Sequence, residues 1–89
     1  MKISKIQGQL NVPDIATIPF IEGDGVGVEI TPVAQAVVDA AVKKAYGESR
    51  KIEWTEVLAG GKAYDKTGEW LPQATIDAFK ECLVGIKGP

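Results

Sequence analysis

The sequence contains no histidine, one cysteine (Cys82) and one arginine (Arg50). Without histidine there is no Cys–His pair, no Ser–His–Asp triad and no zinc-ligand set, which excludes most hydrolase chemistry. A lone cysteine closes no internal disulfide. On an apolar run it reads as a small hydrophobe, because a reactive thiolate needs an electropositive neighbourhood. The ten bases are outnumbered by twelve acids, for a net charge of −2, so the chain lacks the basic footprint of a nucleic-acid binder. No stretch approaches the roughly 18 consecutive apolar residues of a membrane span. Lys2 and Lys5 are followed by no apolar signal segment. These absences point to a reduced, cytoplasmic protein with neither nucleic acid nor membrane as partner.

What is present is ordinary for a folding chain: 45% apolar and 25% charged residues over 89 positions. That composition argues against disorder and charged tails. The length allows one small domain with no internal boundary, and no two-lobed cleft within a single copy.

Residues 1–14 are mixed and polar, with Gly8 and Pro13 as punctuation, and read as an arm that pairs as a short strand. Ile15 to Ile21 is β-branched and apolar on both parities, as expected of a strand covered on both faces. Pro19 cannot donate to a ladder, so one flank of that strand should be free or irregular. A glycine-rich turn, Glu22 to Gly27, leads into a long helical pattern ending at Tyr46. Ile30, Val33, Ala34, Val37, Val38, Ala41 and Ala45 form its apolar stripe, with Gln35, Asp39 and Lys43 as the wet stripe opposite. Gly47 is its stop. Thr31-Pro32 fits either an N-cap and first-turn proline, or a helix begun several residues earlier.

Ile52 to Leu58 alternates as a half-buried strand, with Trp54 on its apolar parity and assigned to the core. A short helical turn over Lys62–Lys66 closes at Gly68. Pro72 then opens a helix with Ile76, Phe79 and Leu83 on one face, Trp70 clamping its start. The apolar run Cys82 to Ile86 reads as a last buried strand. The order β-α-β-(α)-α-β is that of an α/β fold with a parallel or mixed sheet.

Two places invite a functional reading. A glycine turn before a helix suits a phosphate or carboxylate. Gly23 and Gly25, however, are followed by Val28 where the dinucleotide fingerprint needs glycine, and no Gly-Lys-Ser/Thr follows. Spacing alone therefore favours a structural turn, and Glu22 and Asp24 would repel an anion unless turned away. The other candidate is Lys87, at the C-terminal end of a strand beside Gly88-Pro89, where ligand loops begin in open α/β sheets; an ammonium there meets a carboxylate or amide, or is simply solvated. Asp24 as a metal ligand lacks a partner carboxylate.

The segments Ile18-Pro19-Phe20-Ile21-Glu22-Gly23-Asp24-Gly25-Val26-Gly27-Val28-Glu29-Ile30-Thr31-Pro32, Val37 to Tyr46 and Ile86-Lys87-Gly88-Pro89 stand in order along the chain, with Trp54-Thr55-Glu56 and Trp70-Leu71-Pro72 between. Together they resemble the N-terminal part of the prokaryotic NADP-dependent isocitrate dehydrogenases, within the isocitrate/isopropylmalate dehydrogenase family. The lysine before Gly-Pro favours isocitrate over isopropylmalate, with a related β-decarboxylating dehydrogenase acting on isopropylmalate or homoisocitrate as an alternative.

The resemblance implies the N-terminal β-α-β-α-β portion of that family's fold, incomplete here and not a standard Rossmann fold. Residues 1–89 would be the N-terminal part of the large domain of a longer enzyme. It further implies a homodimer that oxidises isocitrate with NADP and Mg²⁺ or Mn²⁺ and releases carbon dioxide to give 2-oxoglutarate. Lys87 and Ile21 are carried over as residues beside the cofactor. No catalytic residue and no metal ligand carries over, because in the family they lie beyond the position of Pro89. The chain alone is therefore expected to be inactive. A self-sufficient small α/β binding or structural module is the alternative, and uncovered apolar faces are what would tell the two apart.

Overall fold

The computed structural model describes all residues from Met1 to Pro89. The N-terminal arm is a hairpin of β1 (Ser4–Ile6) and β2 (Gln9–Asn11). Its two turn residues, Gln7 and Gly8, both have positive φ, the conformation that matches the twist of paired strands. β3 (Ile15–Ile21) follows, then α1 (Gly27–Tyr46), β4 (Lys51–Glu56), α2 (Gly61–Thr67), α3 (Gln73–Cys82) and β5 (Ile86–Lys87).

β3 is the middle of a three-stranded parallel sheet ordered β4-β3-β5. β4 runs alongside most of β3, whereas β5 meets only Phe20 and Ile21. The start of the chain occupies the rest of that second flank. Lys2 bridges Thr17 in parallel, the Thr17 N–H donates to Met1 O at 2.8 Å, and Lys2 is paired with Glu81 of α3 at 2.7 Å. Thr17 N–H and Ile21 C=O both face this flank, so strand alternation puts the proline nitrogen of Pro19 there too. It falls between the Lys2 bridge and β5, where no donor is called for.

The core lies between β3 and the pair α2–α3. Pro19 is completely enclosed there, and Ile21, Ala63, Thr75 and Cys82 are buried. The Thr75 hydroxyl donates to Leu58 O at 2.6 Å, so its burial leaves no polar atom unpaired. Cys82 is a free thiol packed as a hydrophobe.

Three sequence expectations change. α1 turns to the sheet a face between its two expected stripes: Gln35 of the wet stripe and Val38 of the apolar stripe are both half-buried, and the Trp54 indole N–H donates to Asp39 Oδ1. Val33 and Val37, expected on the inner face, are 63% and 64% exposed. The physical reason is that β4 offers α1 a polar partner, the Trp54 N–H, while nothing covers the valines. α1 begins at Gly27 and carries Pro32 inside it, the earlier of the two starts that the sequence allows; Thr31 is not its cap. Secondly, Trp54 is half-buried, its ring edge-on to Phe20 at 6.2 Å. Finally, Cys82 to Val84 is not strand. α3 runs to Cys82 and is capped by Leu83 in the left-handed conformation (φ 65°), which turns Leu83 outward, 50% exposed.

Overall the chain forms a slab of 39 × 32 × 16 Å in which 8 of 89 residues are buried. A three-stranded sheet with one or two helices on each face is too small to enclose more.

Candidate functional site

At the C-terminal edge of the sheet, three loops meet. After Ile21 the chain turns through Glu22–Val26, with Gly23 at φ 91°. A Cβ on Gly23 would collide with the Pro89 main chain, and one on Gly88 with the Glu22 carbonyl. These glycines are there for close backbone approach. The Glu22 carbonyl accepts the Thr31 hydroxyl at 2.7 Å. The Gly88 N–H donates to Ile21 O at 2.8 Å and the Asp24 N–H to the Pro89 main-chain oxygen at 2.9 Å. The Gly27 N–H, at the start of α1, donates back to Asp24 O at 3.0 Å. The Asp24 and Gly27 amides therefore serve the protein rather than an anion, as the failed fingerprint suggested.

Both carboxylates of the turn have partners. Asp24 Oδ2 accepts the Gly61 N–H at 2.9 Å, at the first residue of α2. Glu22 Oε1 is 3.3 Å from Lys62 Nζ, which also donates to Glu56 Oε2 at 2.6 Å. Lys62 is held above its ordinary pKa chiefly by the hydrogen bond to Glu56, with Glu22 adding to it against the cost of partial burial.

Ile21 and Lys87 are register partners in the β3–β5 ladder. With Asp24, Ala59, Gly60 and Pro89 they line a cavity of about 160 Å³. Ile21 is buried and Lys87 exposed, its Nζ donating to Gly88 O at 2.9 Å. The arrangement offers one apolar wall and one cation on a short tether. On the opposite face of the sheet, a larger apolar groove of about 300 Å³ runs between α1 and the strands, lined by Phe20, Ile30, Ala34, Val38, Trp54 and Ile86.

The Lys87 cation at this cavity can meet a carboxylate or amide. For a metal the residues do not fit. Asp24 is committed to Gly61, and no three His, Cys, Asp or Glu side chains converge in residues 1–89.

A model of the isocitrate/isopropylmalate dehydrogenase family matches residues 17–89. The chain belongs to this family. Isocitrate dehydrogenase [NADP] of Staphylococcus epidermidis is 57% identical over 88 residues, 99% of this chain and 21% of that protein. The Streptococcus salivarius protein of the same name is 61% identical over 88 residues, 99% and 22% respectively. That of Aquifex aeolicus is 59% identical over 80 residues, 90% and 19%. The chain thus spans about a fifth of the length of the curated relatives it matches. Its α/β architecture with a parallel sheet accords with membership of the family.

Both site residues expected from the sequence, Ile21 and Lys87, come together at this edge. What sequence reading missed is Lys62, whose two acidic partners are Glu22 across the sheet edge and Glu56 six positions earlier, neither at a helical or strand spacing. Thr31 was visible beside Pro32, but its partner Glu22 O lies in the preceding turn. Asp24 was noticed as a weak metal candidate and is instead a helix cap supplied from another loop.

Proposed function

We propose that residues 1–89 are the N-terminal part of the large domain of an NADP-dependent isocitrate dehydrogenase. The enzyme is a cytoplasmic homodimer that converts isocitrate to 2-oxoglutarate with NADP and Mg²⁺ or Mn²⁺. The 89-residue chain by itself is inactive. The observation that carries this reading is 57–61% identity, across nearly the whole chain, to enzymes of that name. Ile21 and Lys87 lie beside the nicotinamide end of the cofactor, with Lys87 near the substrate's outer carboxylate; their shared cavity supports this. A tricarboxylate needs several arginine forks, and Arg50, the single arginine, instead lies over the Tyr46 ring and near Asp14. The catalytic and metal-binding groups must therefore come from further chain. Exposed Val26, Val28, Val33 and Val37 also count against a self-sufficient module. No helix is long and apolar enough to cross a membrane.

The test is isocitrate-dependent NADPH formation by three purified proteins: the 89-residue chain, the chain joined to the remainder of the Streptococcus salivarius enzyme, and that joined protein with Lys87→Ala. The joined protein should be active, the short chain silent and the Lys87 variant impaired. Activity in the short chain would overturn the inactivity. An inactive but folded joined protein would overturn the isocitrate reading, and an unimpaired Lys87 variant the site assignment.

A further inference from the structure

Asp24 holds three pieces of backbone at once. Its carboxylate accepts the Gly61 N–H at 2.9 Å. Its own N–H donates to the Pro89 main-chain oxygen at 2.9 Å, and its carbonyl accepts from Gly27 at 3.0 Å. Gly60, at φ 78°, leaves the room the carboxylate occupies: a Cβ there would lie 2.5 Å from Oδ2. The contact is therefore built from both sides, by a residue that reaches and a glycine that makes way. Asp24 also lines the cavity shared by Ile21 and Lys87.

β5 gives Lys87 little support of its own. It is two residues long and pairs with β3 only through Ile86 and Lys87. Beyond it, the Lys87-Gly88-Pro89 limb is held by two main-chain bonds, Gly88 N–H to Ile21 O and Asp24 N–H to Pro89 O. The second has a donor whose direction is set by where the Asp24 side chain is tied. The turn's other main-chain bonds tie it to Pro89 and to the start of α1; the bond to Gly61 is the one that anchors the Asp24 side chain to α2, in a turn whose flanking glycines leave its backbone free to shift.

We propose that Asp24 is the positioning residue of the Lys87-Gly88-Pro89 limb, acting through that limb by holding the Lys87 ammonium at the cavity mouth. This rests on the dehydrogenase reading for its kinetic consequence, though not for its structural one. The role requires an acceptor of the right length at position 24, not a negative charge. Asp24→Asn should preserve it, and Asp24→Ala should abolish it.

The experiment uses the joined full-length protein described above as wild type, Asp24→Asn and Asp24→Ala. It reads hydrogen–deuterium exchange of the Phe20–Gly27 and Ile86–Pro89 peptides together with kcat and KM for NADP. In Asp24→Ala we expect faster exchange in both peptides and a KM for NADP raised on the order of tenfold, with a smaller change in kcat. Asp24→Asn should stay within about twofold of wild type on every measure. If Asp24→Ala does not fold, Asp24→Ser, whose hydroxyl is too short to reach Gly61, takes its place under the same criteria. Wild-type exchange at Ile86–Pro89 in the alanine or serine variant overturns the proposal. So does an asparagine variant as damaged as the alanine one, because charge and not length would then be at work. If the wild-type joined protein folds without activity, the dehydrogenase reading fails, and the exchange data alone decide the positioning role.

Discussion

The Trp54 indole N–H donates to Asp39 Oδ1 at 3.0 Å, joining β4 to the polar stripe of α1. This bond ties one side of the helix to the sheet. Trp54→Phe keeps an aromatic ring against Phe20 and removes the donor. It should cost about 1 kcal/mol in chemical denaturation. Asp39→Ala should cost a similar amount, and the double variant no more than either alone, because both remove one interaction. Additive losses would mean the bond does not orient α1.

Val33 and Val37 lie on the opposite, uncovered side of α1. Changing both to lysine should shift the 89-residue chain from self-association towards monomer in sedimentation velocity. The same change in the joined protein should lower its thermal midpoint, because there the valines are expected to be buried. Unchanged association of the short chain would show that its uncovered surface is not what makes it stick.

Gly88 lies against the Glu22 carbonyl, with Thr31 Oγ1 3.0 Å from where a Cβ would stand. Gly88→Ala must push the limb off the turn and should destabilise the fold by about 1–3 kcal/mol. Gly47→Ala meets no atom within 4 Å but sits at φ 62°. With ψ −130° it lies in a region open mainly to glycine, so the change should cost only that backbone strain, about 1–3 kcal/mol, and leave Ile86–Pro89 exchange unchanged. Equal effects of the two on that exchange would contradict the packing described for Gly88.

Lys62 ties Glu22 to Glu56, and its pKa in the folded chain is raised above the ordinary 10.5. The sign follows from linkage: the unfolded chain loses the proton first, so the contribution is complete below the unfolded value and disappears as pH rises through the folded one. Lys62→Met should therefore lower the denaturation midpoint at neutral pH, and its deficit should shrink as pH rises past the ordinary 10.5. A deficit that does not change with pH would mean that the charge is not what Lys62 contributes.

β3, the body of α1 and its stop at Gly47 were legible in the sequence because each is decided locally. A β-branched run, a three- and four-residue period and a glycine at the helix end need no knowledge of the neighbours. The facing of α1 was not legible, because a stripe of valines says only that something apolar should cover it, and the three strands present do not. The last strand was misplaced because Cys82-Leu83-Val84 has the composition of a strand, and only the left-handed Leu83 shows that the helix ends there. At the site, Lys87 and Ile21 could be picked out singly. That they are register partners depends on the parallel crossover. The Lys62 and Asp24 contacts, each made across a loop, left no periodic trace.

The second flank of β3 is shared between Met1–Lys2 and β5, and this has a meaning for the order in which a ribosome delivers the chain. The Lys2 arm leaves the tunnel just ahead of β3 and can lie along it at once, as soon as the hairpin has formed. β5 arrives only after both crossovers have been made. In the finished fold the arm covers the edge of β3 beside Thr17, and it is expected to do so during synthesis too, as a provisional selvedge, while Phe20 and Ile21 wait for their partner. Deleting it should therefore be felt during synthesis, as lost yield, more than in the finished fold.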